Sequence, residues 1–197
     1  ANSLGWQNYS LAEELGRLLP FPVEISNEAN CAALGERWKG TGARADDLCY
    51  IAIGQGVGSA IICDGELIYG AACRAGEIGY LLGEIDQEMS NRNVLGEPGV
   101  LERKIWSTLS SCGLNLEQMF QAYVQGKEPA RGAVTYFIRD LARVIANIAS
   151  MLNPEVVVIG GIVAQYMKPV LPDIRAVVGV LTPIPTRVEL GSLGPWA

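Results

Sequence analysis

Residues 48–69 read LCYIAIGQGVGSAIICDGELIY and carry the strongest fold signal in the chain. The apolar run from Leu48 to Gly54 has the length and composition of a buried strand. Two further segments, Ser59 to Cys63 and Glu66 to Tyr69, flank Asp64-Gly65, a dipeptide that tolerates the positive φ angles of a tight hairpin turn. The stretch therefore predicts a buried strand followed by a β-hairpin.

The segments before this stretch predict two helices separated by a strand. Ser10 and Glu13 match a capping box, so we expect a helix that begins near Ser10 and ends at Pro20. Residues 22–27 read as a strand, and residues 28–39 read as the second helix.

The segments after it continue the alternation. Residues 84–99 are polar and rich in Gly and Asn, which predicts a loop, and a helical pattern begins at Val100. Apolar residues spaced three and four apart predict a long helix over residues 131–152. The run NPEVVVIGG (153–161) then predicts a helix stop, a buried strand, and a Gly-Gly step that opens the next helix. This order indicates an α/β fold.

Composition limits the function classes. The chain has 197 residues, of which 49% are hydrophobic and 18% charged, and this is ordinary for one globular domain. The net charge is -6 and Lys and Arg form no cluster, so we expect no nucleic-acid surface in these residues. Neither an export leader nor an apolar run of membrane length is present, so we expect no contact with a membrane. The first residue is Ala1, which predicts a trimmed chain or a fragment.

Cysteine and histidine usage narrows the chemistry further. The five cysteines are scattered among apolar residues, so we expect thiols that behave as small core side chains in a reducing cytosol. The chain contains no histidine. This removes the commonest general base and the commonest nitrogen ligand for zinc, and leaves acid/base chemistry to carboxylates. The cysteines are Cys31, Cys49, Cys63, Cys73 and Cys112.

Two glycine-rich turns are candidate anion or nucleotide sites. Gly54, Gly56 and Gly58 lie between two predicted strands, where backbone N–H groups can converge on a phosphate. Alternatively, they form only a tight hairpin. Gly160 and Gly161 follow a buried strand and would let an adenine or ribose pass close to the backbone. The alternative is a bare left-handed turn.

Two polar groups are candidate ligand contacts. Asn27, Glu28 and Asn30 lie where a predicted strand passes into a helix, a place where α/β folds bind ligands. Helix capping by Asn27 and a first-turn acid at Glu28 explain the same residues without a ligand. Glu77 stands between two glycines in RAGEIGYLLG (74–83) and either contacts a ligand or caps its own turn.

Taken together, NEAN, IGQGVGSAIICDGELIYGA, AGEIG and NPEVVVIGG occur in an order that resembles the ROK family. This family comprises bacterial sugar kinases and sugar-responsive repressors. The resemblance runs from residue 4 to residue 194 and implies an actin-like ATPase or sugar-kinase fold, which is ribonuclease H-like. It also implies that residues 1–197 are mainly the C-terminal lobe. The N-terminal lobe, any DNA-binding domain and the final helix would then lie outside this sequence.

The resemblance implies roles for individual residues. Asn27 would bind a sugar hydroxyl, and Glu28 stands where the kinases have an Asp that takes the proton from the attacking hydroxyl. Glu77 would bind sugar hydroxyls. The segment NVLGEPGVLE (93–102) lines up with the family's cysteine-rich motif and keeps Gly96, Gly99 and the sugar-binding Glu102.

Several positions depart from the family pattern. The zinc ligands of the family fall on Tyr80, Asn93, Leu95 and Val100, so we expect the zinc site to be lost and packing to hold the pocket instead. Tyr80 would offer its hydroxyl or ring face to the sugar. Glu28 is one methylene longer than Asp, and the phosphate turn has Gln55 where Thr or Ser is common.

These residues leave two functions in competition, and a sugar-binding protein that has neither role is a third possibility. One is the sugar-binding effector domain of a transcriptional regulator, which would contact DNA only through an N-terminal domain outside this sequence. The other is an ATP-dependent sugar kinase, which would use Mg-ATP and Glu28 as its base. We expect the regulator, with a sugar or sugar phosphate as its ligand, no cofactor, a cytoplasmic location and a homo-oligomeric state. The nucleotide-binding candidates, if nucleotide binds, are Gly54, Gln55, Gly56, Gly58, Gly160 and Gly161.

Overall fold

The computed structural model describes residues 9–82 and 93–194. Within them, five strands form one sheet in the order β3-β2-β1-β4-β5. The strands are β1 (Leu48–Ile53), β2 (Val57–Cys63), β3 (Glu66–Leu67), β4 (Val156–Gly160) and β5 (Arg187–Leu190). The α-helices are α1 (Leu11–Leu18), α2 (Glu28–Lys39), α3 (Val100–Ser110), α4 (Leu116–Val124), α5 (Ala130–Leu152) and α6 (Leu171–Leu181).

The sheet is mixed, and β1 is its central strand. β1 pairs antiparallel with β2 and parallel with β4, and β4 pairs parallel with β5. Ile51 lies opposite Ser59 on one side and Ile159 on the other. Because β1 and β4 run in the same direction, the glycine turns that follow them lie at the same edge of the sheet.

Both faces of the sheet are covered, as the apolar runs predict. Cys49, Ile51 and Ile53 pack into a core formed with α3, α4, α5 and α6. Leu48 and Tyr50 point to the opposite face and pack with the alanines of α2. Successive side chains of a strand point to opposite faces, so one apolar run fills two core layers.

The predicted hairpin and long helix are confirmed, with shifted bounds. Asp64 and Gly65 have φ angles of 49° and 77°, as a tight turn of this kind requires. β2 begins two residues before the predicted Ser59, and β3 is much shorter than predicted. The long helix, α5, ends at Leu152, and Asn153, which follows it, adopts the left-handed conformation.

Two predictions for the segment before β1 are wrong. α1 occupies the predicted place, but Ser10 makes no side-chain capping hydrogen bond, because its backbone (φ -83°, ψ 87°) departs from the extended geometry that directs a cap. Residues 22–27, all described, form no strand. Their local preference for an extended chain has no partner strand to satisfy it, and Phe21 and Ile25 are 60% and 50% exposed.

The prediction of a helix opening at Gly160-Gly161 is also wrong. A short 3₁₀ helix, Ala164–Tyr166, follows the glycines, and α6 begins only at Leu171. The backbone after β4 instead folds back on β1, where Val163 N–H donates to the Ile53 carbonyl at 3.1 Å. No α-helix N-terminus is therefore available at this turn to attract an anion.

The cysteines differ from the prediction as well. All five lie in the described residues and carry free thiols, but only Cys49 is buried. Cys31, Cys63 and Cys73 are exposed, and Cys73 lies in a turn with a φ of 52°. The apolar neighbourhood of a cysteine in the sequence did not predict its burial.

Helix α2 is fixed at its C-terminal end by a buried carboxylate. Glu36 is 1% exposed, and its oxygens accept hydrogen bonds from the backbone N–H of Thr41 at 2.7 Å and of Leu193 at 2.9 Å. A buried carboxylate is tolerated when it is hydrogen-bonded in this way. The contact joins α2 to the segment after β5.

The predicted loop at 84–99 lies outside the described residues up to residue 92, and residues 93–99 form neither helix nor strand. None of the described helices combines the length and the apolar character that crossing a membrane would take.

Candidate functional site

A cleft of about 580 Å³ lies at the edge of the sheet where β1 ends and β2 begins. A volume of this size is typical of small-molecule sites. Four segments that are distant in sequence meet there: the start of α2, the turn between β1 and β2, the segment around Glu77, and the start of α3. Its lining residues are Asn27, Glu28, Ala29, Ala32, Tyr50, Ala52, Gly54, Gln55, Gly56, Val57, Gly58, Glu77, Glu102, Gly161 and Ile162.

The start of α2 presents Asn27 and Glu28 to the cleft. The side-chain oxygen of Asn27 caps the helix, since it accepts from Ala29 N–H at 2.8 Å and from Asn30 N–H at 3.4 Å. Capping and ligand contact are compatible here, because the cap occupies the oxygen of the carboxamide and leaves the NH₂ group to donate elsewhere. Asn27 is thereby held in one orientation at the mouth of the cleft.

Glu77 is positioned by the glycine that precedes it. Gly76, at φ +87°, docks against β2, and its carbonyl accepts from Ser59 N–H at 2.8 Å and from Ser59 Oγ at 2.9 Å. A side chain at Gly76 would meet the Ser59 backbone at 2.1 Å. Glu77 then precedes the short 3₁₀ helix Ile78–Tyr80 and makes no side-chain capping hydrogen bond with it. The alternative in which Glu77 caps its own turn is therefore wrong.

Glu102, in the first turn of α3, places its carboxylate between two glycines. A methyl group at Gly56 would lie 3.5 Å from Glu102 Oε1, and one at Gly79 would lie 3.2 Å from Oε2. The carboxylate thus lies beside the turn between β1 and β2. Three carboxylates, those of Glu28, Glu77 and Glu102, line one cleft.

The turn between β1 and β2, together with the first two residues of β2, is hereafter called the 54–58 turn, and it leaves open space above its backbone. Methyl groups built at Gly54 and Gly58 would meet nothing within 4 Å, and neither glycine has a positive φ. The Gly54 N–H is already used, because it donates to the Gly56 carbonyl at 2.9 Å. Gln55, at the tip, is exposed.

The turn after β4, hereafter the 160–161 turn, is tightly occupied by the protein itself. A methyl group at Gly160 would lie 1.9 Å from the Tyr50 hydroxyl oxygen, and one at Gly161 would lie 2.6 Å from the Ile53 carbonyl oxygen. Gly161 also has a φ of +83°. Of the two, only Gly161 reaches the cleft.

Tyr80 lies outside the cleft lining. Its hydroxyl accepts from Gly96 N–H at 3.0 Å, and its carbonyl accepts from the Asn93 side chain at 2.6 Å. Asn93 in turn accepts from Val100 N–H at 2.8 Å. The side chains of Leu95 and Val100 carry no donor atom for a metal, and those of Tyr80 and Asn93 are engaged in these bonds, so the four positions do not fit a zinc site. Among the described residues, no group of three or more acidic, cysteine or histidine side chains is arranged to hold a metal ion.

Tyr50 lines the cleft, and sequence reasoning did not single it out. It is 2% exposed, and burial, with the nearby charge of Glu36 as the second cause, raises its pKa to about 12. The Gly161 backbone hydrogen-bonds to its hydroxyl. Its only signal in the sequence is a hydroxyl in the middle of an otherwise apolar strand, a group that needs a partner when buried.

The model of the ROK family matches residues 1–181, which is most of the chain. The chain belongs to the ROK family. Curated ROK relatives include the xylose repressor of Caldicellulosiruptor bescii, 31% identical over 90% of this chain and 49% of the repressor. They also include the glucokinase of Halalkalibacterium halodurans, 31% identical over 89% of this chain and 59% of the glucokinase. The chain therefore spans roughly half the length of these relatives.

Solved ROK structures show the same fold. A ROK glucokinase from Streptomyces griseus, in complex with glucose and AMPPNP, superimposes with a TM-score of 0.76 at 23% identity, over 96% of this chain and 70% of the kinase. A ROK transcriptional regulator, a homologue of the E. coli MLC protein, gives a TM-score of 0.73 at 23% identity, over 92% of this chain and 50% of the regulator. The actin-like sugar-kinase fold is thereby confirmed, and both functional branches of the ROK family are among its neighbours.

Proposed function

We propose that this chain is the sugar-binding effector domain of a ROK-family transcriptional regulator that controls carbohydrate-use genes. DNA contact would be made by a domain outside this sequence. The proposal is supported by a cleft that offers acceptors for sugar hydroxyls and little that would hold a transferring phosphate.

The carboxylates of the cleft carry the proposal. Glu28, Glu77 and Glu102 line it, and no Lys or Arg stands among the described lining residues. Sugar hydroxyls are hydrogen-bond donors, and a bond to a charged acceptor contributes about 1.5 to 3 kcal/mol. An anionic ligand would instead face like charges from these three carboxylates. The preferred ligand is therefore an uncharged sugar, and a sugar phosphate is disfavoured.

The same lining argues against efficient phosphoryl transfer. That reaction needs positive charge or converging N–H donors around the transferred group. In the 54–58 turn, the Gly54 N–H already bonds within the turn, and Gln55 replaces the usual hydroxyl residue. Glu28 carries its carboxylate one methylene further from the backbone than Asp, and a misplacement of about 1 Å costs on the order of a hundredfold in rate.

A sugar kinase is the second candidate. It is favoured by relatives such as the glucokinase of Halalkalibacterium halodurans and the β-glucoside kinase of Klebsiella pneumoniae. Glu28 also lines the cleft, as a general base must. Mg-ATP would then be the second substrate.

Turnover separates the two candidates. With full-length protein, saturating Mg-ATP and a panel of hexoses and N-acetylhexosamines, we expect rates far below the usual enzymatic range of roughly 1 to 1,000 per second. A rate within that range that collapses in Glu28→Ala would establish the kinase instead.

Sugar contact by Glu77 is tested by Glu77→Gln. This change keeps the shape of the side chain but removes a charged acceptor, so we expect sugar affinity to fall about tenfold to a hundredfold with no loss of stability. Calorimetric titration with glucose and xylose, beside a thermal melt, measures both. Glu66→Gln, on exposed β3, is the matched control and should change neither. A destabilised Glu77→Gln with unchanged affinity would contradict the contact.

A further inference from the structure

Asn93 joins two segments of the cleft wall that are separated in sequence, the 3₁₀ helix Ile78–Tyr80 and the start of α3. Its carboxamide nitrogen donates to the Tyr80 carbonyl at 2.6 Å, and its oxygen accepts from Val100 N–H at 2.8 Å. The Tyr80 hydroxyl closes the arrangement by accepting from Gly96 N–H at 3.0 Å. Both ends of one side chain are thus used to connect the 3₁₀ helix Ile78–Tyr80 with the first residue of α3.

We propose that Asn93 is a positioning residue that sets the relation between Glu77 and Glu102. Glu77 immediately precedes the 3₁₀ helix whose last carbonyl Asn93 binds. Glu102 lies in the first turn of the helix whose first N–H Asn93 binds. The proposal rests on the proposed sugar-binding function for its ligand, but the bridge itself is tested without a ligand below.

The Asn93 bridge supplies a hydrogen-bond acceptor that the N-cap residue of α3 lacks. The first N–H groups of a helix have no partner inside the helix, and a side chain at the N-cap position usually supplies one. The N-cap of α3 is Gly99, which has no side chain to do this. Asn93, six residues earlier, supplies the acceptor for Val100 in its place.

Gly99 is itself required by the close contact between the two segments. A methyl group at Gly99 would lie 2.0 Å from the Gly79 carbonyl oxygen and 2.7 Å from Tyr80 N. The 3₁₀ helix is also held from its other side, since a methyl group at Gly79 would lie 2.8 Å from the Val57 carbonyl of β2. The backbones are thus already in contact, and the Asn93 side chain fixes how one lies against the other.

The same region holds all four positions at which the family resemblance places zinc ligands, namely Tyr80, Asn93, Leu95 and Val100. Asn93, Tyr80 and Val100 are joined by the hydrogen bonds described above. Hydrogen bonds between protein groups, rather than a metal, therefore hold the 3₁₀ helix Ile78–Tyr80 against the start of α3. Packing alone, which the sequence suggested, does not describe this contact.

Asn93→Asp isolates the bridge from the helix cap. Aspartate keeps an acceptor for Val100 N–H and places a negative charge at a helix N-terminus, so we expect the melting temperature to stay within a few degrees of the wild type. It loses the donor to the Tyr80 carbonyl, and affinity for glucose or xylose should fall about tenfold. Asn93→Ala loses both bonds and should lower stability as well as affinity.

Asn115→Ala is the matched control. Asn115 caps α4 by accepting from Gln118 N–H at 2.9 Å, and it does not line the cleft. Its replacement should lower the melting temperature while affinity stays unchanged. Calorimetric titration and thermal melts of the full-length variants give the two measurements. If Asn93→Asp binds the sugar that the wild type binds with wild-type affinity, the positioning role is overturned.

Amide hydrogen exchange tests the bridge in the absence of sugar. In Asn93→Ala we expect faster exchange at the Val100 amide, and a rate equal to that of the wild type would overturn the bridge. A wild-type protein that binds none of a panel of pentoses, hexoses and N-acetylhexosamines would overturn the proposed function, and the exchange result would then decide the bridge alone. One zinc per chain by elemental analysis, or a melting temperature lowered by a chelator, would contradict the claim that hydrogen bonds alone hold these two segments together.

Discussion

The two glycine turns at the edge of the sheet look alike in sequence and differ in structure. At the 54–58 turn, methyl groups at Gly54 and Gly58 would enter open space. At the 160–161 turn, the space for a side chain is filled by Tyr50 and by the backbone of Ile53. Glycine in the first turn leaves room for something outside the protein, whereas glycine in the second accommodates the protein's own packing. Only the first is a candidate for ligand contact on this ground.

The largest effect is expected from Gly161→Ala. The left-handed φ of +83° costs a residue with a Cβ about 1 to 2 kcal/mol, and contact with the Ile53 carbonyl adds an overpacking cost of about 1 to 3 kcal/mol. We expect the free energy of unfolding to fall by about 3 kcal/mol, measured by urea denaturation. Gly179→Ala, in α6 with nothing within 4 Å, is the control and should be neutral or stabilising. A loss below about 1 kcal/mol at Gly161 would remove the distinction between the turns.

Gly58→Ala should lower sugar affinity while leaving stability nearly unchanged. Its methyl group would project into the open cleft, and replacing Gly by Ala within a strand changes stability little, so we expect the free energy of unfolding to change by less than about 1 kcal/mol. Sugar affinity should fall at least about tenfold, or about 1.4 kcal/mol, because the methyl occupies ligand space. Calorimetric titration beside urea denaturation measures both quantities. Unchanged affinity would mean that the open space above this turn is not used by the ligand.

The smallest effect is expected in the pH dependence of stability, which tests whether Tyr50 is buried against the 160–161 turn. Its pKa is raised from 10.0 to about 12, so between these values the unfolded chain loses the phenol proton while the folded protein keeps it. Stability should therefore fall as pH rises from 10 toward 12, by about 1 kcal/mol at pH 11. Tyr50→Phe should lack this contribution when unfolding is compared at pH 9 and pH 11.

Cys49 titrates in the same range, because burial raises its pKa to about 12, but it is present in both proteins and cancels in the comparison. Equal losses in the wild type and Tyr50→Phe would show that Tyr50 is not buried against the 160–161 turn as described.

The sequence predicted best where local pattern and tertiary structure agree. α2, α5 and the hairpin at Asp64-Gly65 each carry a local signal that their surroundings reinforce. The strand predicted at 22–27 failed because pairing depends on a partner, which no local pattern specifies. The family resemblance predicted that Asn27, Glu28, Glu77 and Glu102 belong to one site, and the fold brings all four to one cleft.

What the sequence could not predict are contacts between residues that are far apart in the chain. Gly160 is needed because the Tyr50 side chain, which comes more than a hundred positions earlier in the chain, leaves no room for a Cβ there. Since this contact cannot be seen in the sequence, the pair Gly160-Gly161 resembled a nucleotide-binding turn. Asn93 appeared only as a lost metal ligand, since its value depends on where Tyr80 and Val100 meet in space. Tyr80 was expected to face the sugar; it lies outside the cleft lining, and its hydroxyl accepts from Gly96 N–H.

The buried Glu36 fixes helix α2 near its C-terminal end. The helix begins with Asn27 at the mouth of the cleft and is anchored nine residues later by Glu36. At about 1.5 Å per residue, Asn27 and Glu36 lie roughly 13 Å apart along the helix axis. Glu36 accepts from the backbone N–H groups of Thr41 and Leu193, so the position of Asn27 depends on the segment after β5. Helix α2 is thus a rigid connection between the cleft and the segment that follows β5.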